Sequence, residues 1–201
     1  MLLHELLEDR GYELILASQS PRRRQLMSDS GLSFRAISID VEEIFPKELP
    51  ASEVAEYLSK IKSEGYDAHL KESEILITAD TVVILADQIL GKPDGEAGSR
   101  DMLHRLSGAE HHVVTGVTLR TSKCTKSFST TTRVKFAELT DEQIDYYISR
   151  YKPYDKAGSY GIQEWIGYIG IESIDGSFYN VMGLPIQRLY RELKLLIEEL
   201  S

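Results

Sequence analysis

Leu14-Ile15-Leu16-Ala17-Ser18-Gln19-Ser20-Pro21-Arg22-Arg23-Arg24-Gln25-Leu26-Met27 is the stretch whose reading decides the fold. The apolar run Leu14 to Ala17 is too short for a helix and predicts a buried strand. Ser20 is predicted as an N-cap and Pro21 as the first helical residue, where a missing N–H costs nothing. Strand, polar turn and helix in that order aim free backbone N–H groups and a positive dipole end at whatever lies above the strand. The Ser18 and Ser20 hydroxyls and the Arg22 and Arg23 guanidinium groups fall at the same place. Together they suit a phosphate-bearing anion. Ordinary capping with a solvated arginine face accounts for the same residues. Against that reading, first-turn arginines oppose the macrodipole, which favours acids there.

Working outward, the chain has 201 residues, enough for one large domain or two closely joined lobes. Its formal net charge of −9 argues against a nucleic-acid partner, which needs a basic surface. A small anionic ligand then requires a local cluster of positive charge. The lone cysteine, Cys124, has no disulfide partner and no zinc-site companions, and its polar segment Thr121 to Lys126 reads as a turn. The N-terminal residues lack a basic region followed by an apolar core, and no apolar run is long enough to span a bilayer. The expectation is a cytoplasmic protein with no membrane partner.

A short helix is predicted over Leu2 to Arg10 and a second strand over Ser33 to Ile39, followed by Asp40-Val41-Glu42-Glu43. Ser52 is the expected N-cap of a helix with Val54, Leu58 and Ile61 at helical spacing. Glu74 to Ala79 reads as an apolar strand ending at Asp80-Thr81, with Val82 to Leu85 continuing extended and Gln88 to Leu90 returning. A helix is expected from about Ala97 to Leu106. His111 to Arg120 and Ser127 to Ala137 form a predicted hairpin, the second with Phe128, Thr130, Thr132, Val134 and Phe136 on one face. Thr140 caps a helix reaching Tyr151, Ile169 to Ile174 reads as a late strand, and Gly176 to Gly183 as a loop. Pro185 opens a last helix with Leu189, Leu193 and Leu196 on its apolar side. Interleaved strands and helices with a hairpin predict an α/β (α+β) fold with a mixed sheet.

Polar groups at strand ends and in loops are the candidate functional residues. An ionised Asp80 at the end of an apolar strand needs a partner, a metal or a catalytic task; an Asp capping its own turn is the simpler account. Glu43 follows a strand end in the same way, and with Asp80 it can hold a hard divalent ion. Lys62 falls on a helix, where a solvated side chain is usual, and Lys92 in the rigid turn Gly91-Lys92-Pro93. Cations near a triphosphate neutralise charge building on the leaving oxygens. Gln163 carries a donor and an acceptor, which matches a pyrimidine edge with an N–H beside a carbonyl. Tyr154, Tyr160 and Tyr179 either stack on a base or pack.

Ser18-Gln19-Ser20-Pro21-Arg22-Arg23 resembles the signature of the Maf family of nucleoside triphosphate pyrophosphatases, once described as septum-formation inhibitors. Ala79-Asp80-Thr81-Val82-Val83, Gly91-Lys92-Pro93 and Val114-Thr115-Gly116-Val117 follow in family order. Asp155 to Gln163 and Asn180-Val181-Met182-Gly183-Leu184-Pro185 complete the series, so the likeness covers nearly the whole chain. It implies an ITPase-like domain over 1–201 of two joined lobes, with a long central sheet and a nucleotide cleft. It implies cleavage of the α–β phosphoanhydride with a divalent cation, Mg²⁺ or Mn²⁺. By resemblance Asp80 is the general base, and Arg22, Thr81 and Gln163 select the substrate. Ser18, Arg23, Glu43, Lys62 and Lys92 line the phosphate and metal site, and Ser20 joins them at the substrate. The segment Lys156 to Gln163 is similar to the branch acting on dTTP and UTP, with modified pyrimidine nucleotides as further candidates. Gln19 and Glu164-Trp165-Ile166 depart from the family pattern, which is smaller or richer in glycine there. The rival readings are a 7-methyl-GTP pyrophosphatase and a non-catalytic nucleotide-sensing regulator of cell division. The resemblance makes a homodimer plausible.

Overall fold

The structure is a computed structural model and describes residues 1–200. Helix α1 (Leu3–Arg10) buries Leu3, Leu6 and Leu7 and stops at Gly11, whose φ of 67° few other residues adopt. Strand β1 (Glu13–Ala17) leads through the Ser18–Ser20 turn into α2 (Pro21–Asp29), and β2 (Phe34–Ile37) follows. Next come α3 (Ala51–Glu64), the long β3 (Glu74–Leu85), β4 (Gln88–Leu90) and α4 (Gly95–Leu106). The hairpin of β5 (Glu110–Arg120) and β6 (Thr125–Phe136) precedes α5 (Asp141–Tyr151). A 3₁₀ turn (Ala157–Ser159), α6 (Trp165–Gly170), β7 (Ile171–Asp175), α7 (Phe178–Val181) and α8 (Ile186–Glu199) complete the chain.

The strands form one seven-stranded sheet in the order β2-β1-β3-β5-β6-β7, with β4 paired to β3. β1 lies parallel to both β2 and β3, with Leu14 opposite Phe34 on one side and Ile75 on the other. A strand covered on both faces reads as a continuous apolar run. Leu14, Ile15 and Leu16 are accordingly at most 1 % exposed. β3 and β4 are antiparallel through a tight turn in which Ala86 and Asp87 both take positive φ, the geometry that suits a two-residue hairpin. β6 and β7 are also antiparallel, so the sheet is mixed, as the sequence predicts. Thr121 N–H closes the β5–β6 connection on the Cys124 carbonyl at 2.9 Å, and Cys124 is exposed there. No helix among the described residues is long and apolar enough to cross a membrane.

Contacts divide the chain into two compact units: 1–80, 115–130 and 183 onward in one, 81–114 and 131–182 in the other. In the first, Ile15, Ala17 and Leu76 are buried beneath Ile37, Ile39, Tyr66 and Leu70. The approach of α3 to β5 is set by Gly116. A Cβ placed there would lie 2.3 Å from the Ala55 carbonyl carbon. Thr78 Oγ1 donates to the Ser59 carbonyl at 2.7 Å, and Ser59 Oγ meets Thr118 Oγ1 at 2.8 Å. These bonds fix α3, and with it Lys62.

In the second unit Phe136, Tyr147 and Tyr160 lie in one core. Tyr160 meets Phe136 edge-on at 5.1 Å and His111 at 5.4 Å, and its hydroxyl contacts His111 Nε2 at 2.7 Å. Tyr160 is therefore a packing residue. Tyr154 also packs against this core, while Tyr179 is half exposed. His111 is fully buried, and desolvation, helped by His112, lowers its pKa to about 4. Unfolded, it binds a proton near its ordinary value, so between those limits the unfolded chain carries more protons. Its contribution is thus complete above the unfolded value of about 6.5 and is lost as pH falls toward about 4. The loss expected from this group is about 3 kcal/mol. Denaturant midpoints measured across that range should show the decline, and His111→Asn should flatten it.

Four local readings need correction. Asp80 does not end a strand; β3 runs through it to Leu85. The α3 cap is Pro50 rather than Ser52, because the helix starts two residues earlier, at Ala51. The expected loop after Gly176 holds a short helix, α7, capped by Ser177 Oγ on the Asn180 N–H. The late strand begins at Ile171 rather than Ile169, because Trp165–Gly170 is helical, an element the glycines at 167 and 170 conceal.

Candidate functional site

α2 forms as the sequence predicts. Ser20 Oγ accepts the Arg23 N–H at 3.5 Å with Pro21 beginning the helix, and Ser18 Oγ accepts the Ser20 N–H at 3.2 Å. Arg24, which the sequence reading passed over, donates from Nε and Nη2 to the Ser18 carbonyl at 3.0 and 2.8 Å. It locks the turn from behind. Arg23 reaches across to β3. Its Nε donates to the Gly183 carbonyl at 2.7 Å and its Nη1 to the Ala79 carbonyl at 2.8 Å. The residue is half-buried, but its guanidinium is taken out of water. That desolvation lowers its pKa, and the neighbouring Asp80 charge opposes the shift. Arg23 therefore offers a fixed positive charge beside Asp80 more than a free fork.

Asp80 is 7 % exposed. Its Oδ1 takes Lys62 Nζ at 2.5 Å, and the same ammonium lies 2.8 Å from Glu43 Oε1. Lys62 stands in the last turn of α3, where a cation complements the helix dipole. Its side chain is only 17 % exposed, so it is no solvated surface lysine. The sequence-predicted Ser18, Ser20, Arg22, Arg23, Glu43, Lys62 and Asp80 thus lie in one unit. Lys62 draws two carboxylates to one positive charge, and Arg23 is in electrostatic reach of Asp80, Glu43 and Arg22.

A hard divalent ion is held by oxygen, commonly one or two carboxylates with the remaining positions filled by phosphate and water. Asp80 and Glu43 supply such a pair, and the ammonium shared between them shows that one cation can be stabilised by both. No group of three or more His, Cys, Asp or Glu suited to a metal occurs among the described residues. The pair fits an ion completed by substrate oxygens rather than an all-protein cage.

Thr81, Lys92 and Gln163 belong to the other unit. Thr81 follows Asp80 along β3, and Lys92 is exposed after β4. Gly158 N–H donates to the Gly91 carbonyl at 3.1 Å, so the Gly91–Pro93 turn is tied to the Asp155–Gln163 segment. Gly158 has a φ of 70° and abuts Val83, which restricts that position to glycine. The Gln163 Oε1 atom is buried and has no hydrogen-bond partner among the described residues. A buried acceptor without a donor is unfavourable and calls for an explanation.

Sequence reasoning missed the residues that brace Gln163. Tyr147, fully buried on α5, donates to Glu164 Oε2 and accepts the Gly161 N–H at 3.0 Å. Burial and the Glu164 charge push its pKa up, so it stays a phenol and a donor. Lys156 Nζ lies 3.2 Å from Glu164 Oε1 and 2.9 Å from Asp155 Oδ1, and Lys156 is 8 % exposed. The departure of Glu164-Trp165 from a glycine-rich pattern is the one signal in the sequence that pointed there.

The fold resembles that of the Ham1 protein of Staphylococcus aureus, with a TM-score of 0.51 at 17 % identity over 92 % of this chain and 99 % of that one. That likeness defines the class of fold, a mixed α/β fold like that of the Ham1 protein. The profile of the Maf-like proteins matches residues 13–196, and the chain belongs to the Maf family. A Bacteroides thetaiotaomicron relative named dTTP/UTP pyrophosphatase is 52 % identical, covering 92 % of this chain and 96 % of its own. A Porphyromonas gingivalis W83 protein of the same name is 51 % identical over 91 % and 94 %, and one from Flavobacterium johnsoniae 44 % identical over 92 % and 96 %.

Proposed function

We propose that this protein hydrolyses dTTP and UTP to the nucleoside monophosphate and pyrophosphate. The observation that carries the reading is the buried Asp80 carboxylate held by Lys62, in a chain about half identical to proteins named for that activity. Asp80 takes the proton of the water that attacks the α-phosphorus, in line with the departing pyrophosphate. Lys62 orients Asp80 through the 2.5 Å contact of its ammonium with Oδ1. Arg22, Arg23 and Lys92 offset the charge that grows on the leaving oxygens. The Ser18 and Ser20 hydroxyls receive phosphate oxygens at the N-terminal end of α2, whose dipole favours an anion. Glu43 and Asp80 would hold a divalent cation, which would supply Lewis-acid polarisation of the phosphate and of the water.

Arg22, Thr81 and Gln163 select the substrate, Gln163 reading the base through its unpartnered Oε1. Thymine and uracil carry an N–H at N3, which this acceptor binds. Cytosine has a lone pair at N3 and presents an acceptor to an acceptor. The test is pyrophosphate release from a panel of nucleoside triphosphates with Mg²⁺, with and without chelator. Release from dTTP and UTP that chelator abolishes is the expected result. Release confined to 7-methyl-GTP would overturn the base assignment and leave the chemistry. Tight binding with no release from any nucleotide would favour a nucleotide-sensing regulator instead.

A further inference from the structure

Oε1 of Gln163 helps select a base only if its direction is fixed before the nucleotide arrives. Gln163 sits on the turn Gly161 to Glu164, with no strand or helix to hold it. What holds the turn is Glu164. Its own N–H donates to the Gly161 carbonyl at 2.9 Å, and its carbonyl accepts the Gly167 N–H at 2.8 Å. Its side chain folds back over Gly161, where a Cβ would come within 2.8 Å of Glu164 Cδ. Tyr147 joins both ends of the turn through one hydroxyl, accepting from Gly161 N–H and donating to Glu164 Oε2. Lys156 holds the other carboxylate oxygen at 3.2 Å.

We infer that Glu164 is a positioning residue for base selection: clamped by Tyr147 and Lys156, it fixes the Gly161–Glu164 turn so that Gln163 Oε1 is a preformed acceptor for the N3–H of thymine or uracil. The inference rests on the reading of Gln163 given above. A buried ion pair seldom adds much stability over apolar packing, and its best-attested use is to fix one arrangement among several. Here that arrangement is the aim of an otherwise orphaned carbonyl. With the clamp gone the turn samples several orientations, and a nucleotide that needs this acceptor is bound only by the fraction that points correctly.

The experiment measures kcat and KM for dTTP and dCTP in the full chain and in Gln163→Ala, Glu164→Ala, Glu164→Gln and Tyr147→Phe. Glu164→Ala and Tyr147→Phe should each lower the dTTP-to-dCTP ratio of kcat/KM about tenfold, the worth of one aimed hydrogen bond. The loss should appear in KM for dTTP and leave dCTP unaffected. Glu164→Gln, which keeps an oxygen for the Tyr147 hydroxyl, should restore most of the ratio. Gln163→Ala combined with Glu164→Ala should fall no further than Gln163→Ala alone. If Gln163→Ala loses the ratio while Glu164→Ala and Tyr147→Phe keep it, the positioning role is wrong and the Gln163 reading stands. If Gln163→Ala keeps the ratio, the Gln163 reading fails and takes the positioning role with it. Equal losses on both nucleotides with a lowered melting temperature would make Glu164 merely structural and overturn the inference.

Discussion

Asp80→Asn should bind dTTP as well as the parent protein does and release pyrophosphate from it about 10²- to 10⁴-fold more slowly, the usual worth of a positioned general base. The substitution changes one atom in a fixed setting. Asp80 lies inside β3 with its Oδ1 on Lys62 Nζ, and an amide oxygen can accept that same bond. Its backbone position is held by the strand, and Arg23 secures the preceding residue through the Ala79 carbonyl. The fold should therefore survive with an unchanged denaturant midpoint. What disappears is the ability to take a proton and the negative charge beside Arg23 and Lys62. The loss corresponds to about 3–5 kcal/mol of transition-state stabilisation. Pyrophosphate release at saturating dTTP and Mg²⁺, paired with equilibrium nucleotide binding, separates the effects. Turnover near that of the parent would take Asp80 out of the base role. Binding lost along with turnover would give it a substrate-holding one.

How far the sequence announces this site depends on how local each signal is. The β1–α2 turn was legible because Ser20 and Pro21 act on their own neighbours: a cap and a first-turn proline need nothing from the rest of the chain. Asp80 stands out as a polar break in an apolar run, which locally looks like a strand end although β3 continues through it. A carboxylate inside a central strand is tolerated only with a partner, and that partner, Lys62, arrives from a helix eighteen positions earlier. Lys62 was hardest to read for the same reason. Its helical neighbourhood looks like a solvated face, and only the paired carboxylates show why it is drawn partly out of solvent. α6 was invisible because its glycines weaken helical preference. Gly167 is there for contact instead: a Cβ would lie 1.8 Å from the Ile162 carbonyl oxygen. The family motifs around Gly116 and Gly158 could be quoted from the sequence, but the reason for each glycine is a backbone or a valine that only the folded chain brings close.

Gly116→Ala should be the most damaging single-methyl change in the protein's first unit. The added Cβ would sit 2.3 Å from the Ala55 carbonyl carbon and oxygen and from Glu56 Cα. All are backbone atoms of α3, so no side-chain rotation relieves the clash. Gly116 has no left-handed φ, so alanine would otherwise favour the strand slightly by restricting the unfolded chain. The expected destabilisation, about 3 kcal/mol, is therefore steric and lies at the upper end for overpacking. α3 must retreat by about 1 Å to reach ordinary contact distance. That retreat stretches the 2.7 Å bond from Thr78 to the Ser59 carbonyl and the 2.8 Å contact between Ser59 and Thr118. It also carries Lys62, two turns along the same helix, away from Asp80, so turnover should fall with stability. Gly31→Ala is the matching control. Nothing lies within 4 Å of a Cβ there, but the φ of 76° is left-handed. It should lose about 1 kcal/mol through backbone strain alone and keep full turnover. Denaturant midpoints and dTTP hydrolysis for the two variants test the argument together. If Gly116→Ala matched Gly31→Ala in both, the close approach of α3 would not be what places Lys62. If it lost stability and activity together, the family's Val-Thr-Gly-Val motif would be a packing motif that acts on the chemistry at a distance, by setting where one helix lies.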